Sequence, residues 1–127
     1  MILVDTSVWV AALRGKAPAT AHTLTRLLEA DEVALPLPVR LELSAGVAQG
    51  DRAALMRSLR ALPVVVPTEH SWQQVETWIE RAARAGDRFG LSDLLVAALA
   101  DELGGLVWSL DADFERMSAL KFVRLYG

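Results

Sequence analysis

Short apolar runs alternate with longer stretches of helical periodicity along this chain, and that alternation restricts it to one broad class of fold. Ile2–Val4, Val33–Leu35, Val64–Val66, Leu106–Leu110 and Phe122–Leu125 each read as a short strand buried on both faces, which is how strands of a parallel sheet look in sequence. The segments between them are long enough for crossover helices. The expectation is α/β: a mostly parallel central sheet of about five strands flanked by helices. A chain of 127 residues predicts a single domain spanning residues 1–127.

The helices carry their own signals. Asp51 stands where an N-cap would precede Leu55, Leu59 and Leu62, and Pro63 stops that helix. Trp72, Val75, Ile79 and Ala82 follow helical spacing, with Gly86 at the C-terminal stop. Ser92 reads as the cap of a helix from Asp93 to Leu103 that is apolar almost all round and so buried. The segment Leu37–Leu43 alternates like a strand, but Pro36 and Pro38 oppose a central strand, and Val39, Leu43 and Val47 form a helical stripe. It is read as a helix starting near Pro38. Trp9, Trp72, Trp78 and Trp108 are expected mostly in the core, and Trp78, beside the apolar stripe, is also an interface candidate. Gly104-Gly105 is a helix stop and not a phosphate loop, because no Lys with Ser or Thr follows in the required place.

Composition removes several chemistries. There is no cysteine, hence no disulfide, thiolate zinc site or thiol nucleophile. His22 and His70 sit among polar neighbours and are assigned no role. The longest apolar run, Leu94–Ala100, is far short of a membrane span, and no basic residue precedes the first apolar stretch as a signal peptide requires. A soluble, cytoplasmic protein with no membrane partner is expected. The net charge is −3, and eleven of the thirteen cationic residues are Arg. Such a chain lacks the overall basic footprint of a nucleic-acid binder, so nucleic acid would need local Arg clusters or a bound cation. Arg81, Arg84 and Arg88 form one such candidate cluster for RNA phosphates, although a solvated helix face explains them as well.

What the acids do depends on position. Asp5 directly follows the first strand, Asp111 follows the fourth with Asp113 two residues on, and Asp93 lies in the first turn of the most apolar helix. Each alone reads equally as a cap, a turn former or a helix-dipole partner. Glu42, within Val39–Val47, alone reads as an exposed helix residue. In a right-handed parallel sheet, however, strand ends and the starts of the following helices share one edge, so Asp5, Asp93 and Asp111 converge there. Clustered carboxylates repel, and one takes up a proton unless a cation neutralises them. Oxygen-only donors suit a hard ion, Mg²⁺ or Mn²⁺, and such an ion activates water for attack on a phosphodiester.

Four stretches together resemble the PIN-domain nucleases, and specifically the VapC-type toxin ribonucleases, over essentially the whole chain. They are Leu3-Val4-Asp5-Thr6-Ser7, Arg40-Leu41-Glu42-Leu43, Leu91-Ser92-Asp93-Leu94-Leu95-Val96-Ala97-Ala98 and Ser109-Leu110-Asp111-Ala112-Asp113-Phe114. The resemblance implies a PIN-like fold and a metal-dependent endoribonuclease. Asp5, Glu42, Asp93 and Asp111 would be its catalytic and metal-binding quartet, with Asp113 as a further metal-site acid. Thr6, Ser7 and Ser109 would support them by hydroxyl or backbone contacts; many members of that family carry Thr where Ser109 stands. It also implies an RNA substrate, a homodimer, and a VapB-like antitoxin over the active-site groove in a heterotetramer or larger complex. The charge of the groove adds that the antitoxin would insert a cation, Arg by preference. Two other readings stay open. Asp111-Ala112-Asp113 after an apolar strand also fits an Asp-x-Asp phosphatase, although only fourteen residues follow it. A PIN fold kept only for binding is the second, against which the intact quartet stands. A receiver domain of similar size would need a mid-chain acceptor Asp after a strand, and Asp51 follows Gly50 instead.

Overall fold

A computed structural model describes residues 1–127. The chain runs β1 (Ile2–Val4), α1 (Thr6–Leu13), α2 (Pro18–Glu29), β2 (Val33–Pro36), α3 (Leu37–Gly46), α4 (Arg52–Arg60), β3 (Val64–Val65), α5 (Glu69–Arg84), α6 (Leu91–Leu103), β4 (Leu106–Trp108) and α7 (Ala112–Ala119). The strands form one parallel sheet in the order β3-β2-β1-β4. The connections step outward from β1 to β2 and β3, and then jump to the other side of β1 for β4. The order therefore reverses between β1 and β4, the place where open α/β sheets leave a crevice beyond their strand ends.

The sheet has four strands, not about five. The expected fifth, Phe122–Leu125, contributes a single parallel bridge between Leu125 and Val107. Phe122 and Val123 are both buried, as the strand reading also expected, but they form no ladder. Lys121 turns the chain in the left-handed region (φ 65°), and Phe122 then stacks on Trp78 with ring centroids 4.5 Å apart. Residues pinned sideways in this way cannot run a ladder. Two other strands stop short of their expected ends: β3 stops at Val65, leaving Val66 exposed, and β4 stops at Trp108.

The helix from Leu37 confirms the helical reading of that ambiguous segment, with Pro38 tolerated in its first turn where no intrahelical N–H is needed. In α5 the buried stripe is Ser71, Val75, Trp78 and Ala82, which shares Val75 and Ala82 with the expected stripe but takes Ser71 and Trp78 in place of Trp72 and Ile79. Trp72 is 52% exposed and Ile79 44%, whereas Trp78 is only 2% exposed, so Trp78 is core and Trp72 is not. The cause is tertiary: Phe122 takes the Trp78 ring, a stacked pair worth about 1 kcal/mol beyond its burial. Ser71 turns inward because it closes a capping box with Thr68, whose N–H donates to Ser71 Oγ at 2.9 Å.

Helix α6 is buried at every position from Leu94 to Ala100 and packs between α5, α3 and the sheet. It begins at Leu91 after Gly90, so Ser92 lies inside it and is not its cap. It ends at Gly104, which adopts the left-handed conformation (φ 64°). A side chain at the next residue, Gly105, would lie 2.8 Å from the Met1 carbonyl oxygen, so only glycine lets β4 come alongside β1 here. No helix is long and apolar enough to cross a membrane.

Candidate active site

The switch point between β1 and β4 brings Asp5 and Asp111 side by side in the fold, each immediately beyond its strand or the short turn after it. Asp5 occupies the N-cap position of α1, yet its side chain makes no capping bond. Its carboxylate is only 5% exposed, and Oδ2 accepts hydrogen bonds from Ser7 Oγ and from Ser109 Oγ, both at 2.8 Å. The cap reading of Asp5 is thereby set aside, since two hydroxyls aim a buried carboxylate towards the sheet edge. The same hydroxyls shape the turn after β4: Leu110 N–H donates to Ser7 Oγ at 3.0 Å and Asp111 N–H donates to Ser109 Oγ at 3.0 Å. These bonds take the place of a strand ladder, which is why β4 ends at Trp108. Asp111 does cap a helix, because its Oδ1 accepts from Asp113 N–H at 2.9 Å at the start of α7.

Asp93 enters from the first turn of α6. One carboxylate oxygen from each of Asp93, Asp111 and Asp113 lies within 4.8 Å of the others. Asp93 is pushed up from 3.8 to about 7, chiefly by burial and then by the negative charges of Asp5, Asp111, Asp113 and Glu42 in falling order. The charges of Asp5, Asp111, Asp113 and Glu42 are thus all felt at Asp93. Asp93, Asp111 and Asp113 form the tight centre of the cluster, Asp5 its buried wall, and Glu42 its outer member. A set of carboxylates that forces a proton onto one of its own number, with no Lys or His among them, fits a hard divalent ion by its donor chemistry.

Glu42 is exposed on α3, but it is not a free surface residue. Its Oε1 accepts from Thr6 Oγ1 at 3.0 Å and from Ser92 Oγ at 2.9 Å. Beside Thr6 and Glu42 opens a cavity of about 340 Å³ between α1, α3 and α4, lined among others by Val10, Leu13, Leu43, Val47 and Leu55. On the opposite flank Arg116 of α7 pairs with Asp113 one turn earlier, lies 3.8 Å from Asp87, and stands over the Phe89 ring. Arg116 is a neighbour that inspection of the sequence passed over; its i,i+3 spacing from Asp113 was the available signal. The Ser92 bond had no such signal, because its partner is fifty residues away.

None of the three candidate arginines forms an ion pair with an acid of this cluster. Arg81 donates to the Leu120 carbonyl at 3.1 Å and covers the Phe122 ring. Arg84 pairs with Glu80 one turn back. Arg88 lines a separate hollow with Ile79, Phe89 and Leu91.

The PIN domain family matches residues 2–120 of the chain. Ribonuclease VapC11 of Mycobacterium tuberculosis is 34% identical over 120 residues, 91% of this chain and 90% of that protein. Ribonuclease VapC18 of the same organism is 33% identical over 123 residues, covering 92% and 87%. Among solved structures, VapBC2 from Rickettsia felis bound to a promoter DNA fragment superposes with a TM-score of 0.82 at 20% identity, over 99% of this chain and 98% of that one. VapBC from Salmonella typhimurium, also bound to DNA, gives 0.79 at 17% identity over 98% and 96%. The solved structures share this fold, and the family match spans nearly the whole chain, which leaves the phosphatase and receiver readings without support. The chain belongs to the PIN-domain family, in company with the VapC proteins.

Proposed function

We propose that this chain is the endoribonuclease toxin of a VapBC-type toxin–antitoxin module, hydrolysing RNA phosphodiesters at an Mg²⁺ or Mn²⁺ site. The observation that carries the reading is the charge on Asp93. A half-buried carboxylate pushed up to about 7, chiefly by burial and further by the negative charges of Asp5, Asp111, Asp113 and Glu42, is an arrangement that a divalent cation would relieve. The VapC ribonuclease relatives supply the substrate class, and the toxin–antitoxin complexes among the structural neighbours supply the partner.

In this reading Asp5, Asp93 and Asp111 hold the ion, with Asp113 and Glu42 as further carboxylates of the site. Bound there, the ion would supply positive charge to the phosphoryl oxygens and make a water acidic enough to attack phosphorus near neutral pH. The chain's own part is orientation. Ser7 and Ser109 fix Asp5, Asp111 is held by the first turn of α7, and Asp93 would serve the ion as a carboxylate. Arg81, Arg84 and Arg88 are proposed phosphate contacts for the flanking RNA.

The antitoxin would cover the acids with a basic side chain and set apolar ones in the cavity beside Glu42. The toxin would act as a homodimer, for which the exposed Trp72 and Ile79 of α5 offer apolar surface. An Ile79→Glu variant that still sediments as a dimer overturns that use of the surface. The test of the main reading is RNA cleavage by the wild type and by Asp93→Asn with added Mn²⁺. Cleavage by the wild type that survives in Asp93→Asn would remove Asp93 from the chemistry. A wild type that binds Mn²⁺ but cleaves no RNA would leave a metal site without a ribonuclease.

A further inference from the structure

Glu42 combines features that do not ordinarily go together. It is exposed, it stands in the field of other carboxylates, and yet it is held in one place. A glutamate on a helix surface exchanges freely among rotamers, and here like-charge repulsion would favour those that swing away from Asp93. Two hydroxyls oppose this. Thr6 Oγ1 on α1 and Ser92 Oγ on α6 both donate to Glu42 Oε1, at 3.0 and 2.9 Å. Both bonds fall on the same oxygen, and Oε2 accepts no hydrogen bond from the protein. The carboxylate is thus oriented by one oxygen and open at the other.

Ser92 has no competing local task. The N-cap of α6 is Gly90, and the Ser92 hydroxyl bonds to no backbone group of its helix. It immediately precedes Asp93, so its bond to Glu42 ties the helix bearing Asp93 to the helix bearing Glu42. We propose that Ser92, seconded by Thr6, is a positioning residue: it holds Glu42 beside Asp93 against their mutual repulsion, so that Oε2 is the oxygen Glu42 presents to the divalent ion. The proposal deepens the reading of Glu42 as a metal-site carboxylate and rests on that reading.

The experiment compares Ser92→Ala, Ser92→Thr, Glu42→Ala and the double variant Ser92→Ala/Glu42→Ala. Each is measured as the full chain by calorimetric titration with Mn²⁺ in the absence of RNA, and by RNA cleavage. Ser92→Ala should weaken Mn²⁺ binding roughly three- to tenfold, as loss of one charge-assisted hydrogen bond implies. Ser92→Thr, which keeps the hydroxyl, should restore it. In the Glu42→Ala background, removing the Ser92 hydroxyl should cost nothing more, because its partner is already gone. Unchanged Mn²⁺ affinity in Ser92→Ala beside a weakened Glu42→Ala overturns the positioning role and leaves the role of Glu42 standing. An equal loss from Ser92→Ala in both backgrounds overturns it as well, since the serine would then act through something else. If Glu42→Ala binds Mn²⁺ and cleaves RNA like the wild type, the reading of Glu42 itself fails and takes the proposal with it.

Discussion

Ser109 donates its hydroxyl to Asp5 Oδ2 at 2.8 Å, across 104 positions of chain, and accepts the Asp111 N–H at 3.0 Å. One side chain thereby couples the end of β1 to the turn after β4, and with it two of the acids at the switch point. Replacing Ser109 by Ala removes both bonds and leaves Asp5 with Ser7 alone. Loss of a hydrogen bond to a buried carboxylate implies roughly 1–3 kcal/mol of stability. We expect Ser109→Ala to lower the urea midpoint and to weaken Mn²⁺ binding, and Ser109→Thr to do neither. A Ser109→Ala protein with wild-type metal affinity would show that Ser7 suffices to aim Asp5.

The acids carry no histidine partner, so cleavage should require added divalent metal. Water as the nucleophile leaves 5′-phosphate and 3′-hydroxyl ends, because the RNA 2′-hydroxyl takes no part. A metal-free route would need a general acid–base pair, and His22 and His70 both lie exposed on α2 and α5 and pair with none of the acids. Excess EDTA should abolish cleavage, and end-labelling of the products should show no 2′,3′-cyclic phosphate. Detection of that cyclic product would overturn the hydrolytic mechanism.

Stability should depend on pH in an unusual direction. The Asp93 carboxyl lies near 7 in the folded, metal-free chain against an ordinary 3.8, so the native state binds the extra proton between those values. Its contribution is fully present below about pH 4 and is lost as pH rises towards 7, the reverse of a salt-bridged aspartate. Asp93→Asn should therefore unfold at a higher temperature than the metal-free wild type at neutral pH, while losing cleavage. Added Mn²⁺ should raise the midpoint of the wild type and leave that of Asp93→Asn nearly unmoved. Thermal melts across pH 4 to 8, with and without Mn²⁺, check all three statements. A metal-free wild type whose midpoint does not fall relative to Asp93→Asn across that range would contradict them.

Arg116 is the internal cation of the site, pairing with Asp113 and lying close to Asp87. The pair is partly solvated, so its direct contribution to stability is small. Its larger effect should be on charge: Arg116→Ala leaves Asp113 without a cationic partner beside Asp93 and Asp111. We expect a lower melting point without metal and a larger upward shift on adding Mn²⁺. An unchanged Mn²⁺-induced shift would mean that Arg116 does not temper the cluster.

An antitoxin that covers this site should do so with positive charge. Arg matches carboxylates by its planar pair of donors, so Ala replacement of one basic residue in the covering segment should relieve inhibition. It should also lower the Mn²⁺ concentration needed to restore cleavage. If every such variant still inhibits at unchanged metal concentration, steric cover alone explains inhibition.

The sequence by itself determined the fold class and the acids. Apolar runs of strand length separated by helical periodicity lead to a parallel sheet, and in such a sheet Asp5, Asp93 and Asp111 share an edge whatever the details of packing. Three matters were decided only in three dimensions. Whether Trp72 or Trp78 faces inward depended on Phe122, more than forty residues on in the chain, because Val75 and Ala82 fit a stripe with either tryptophan. Whether Phe122–Leu125 became a strand was settled by the same stacking and by the left-handed turn at Lys121. And Ser92, which local rules make a helix cap, found Glu42 instead. Local propensity and periodicity act over a few residues and survive in the sequence. The direction of a hydroxyl or a ring depends on partners brought close by the whole fold, and no spacing along the chain encodes that.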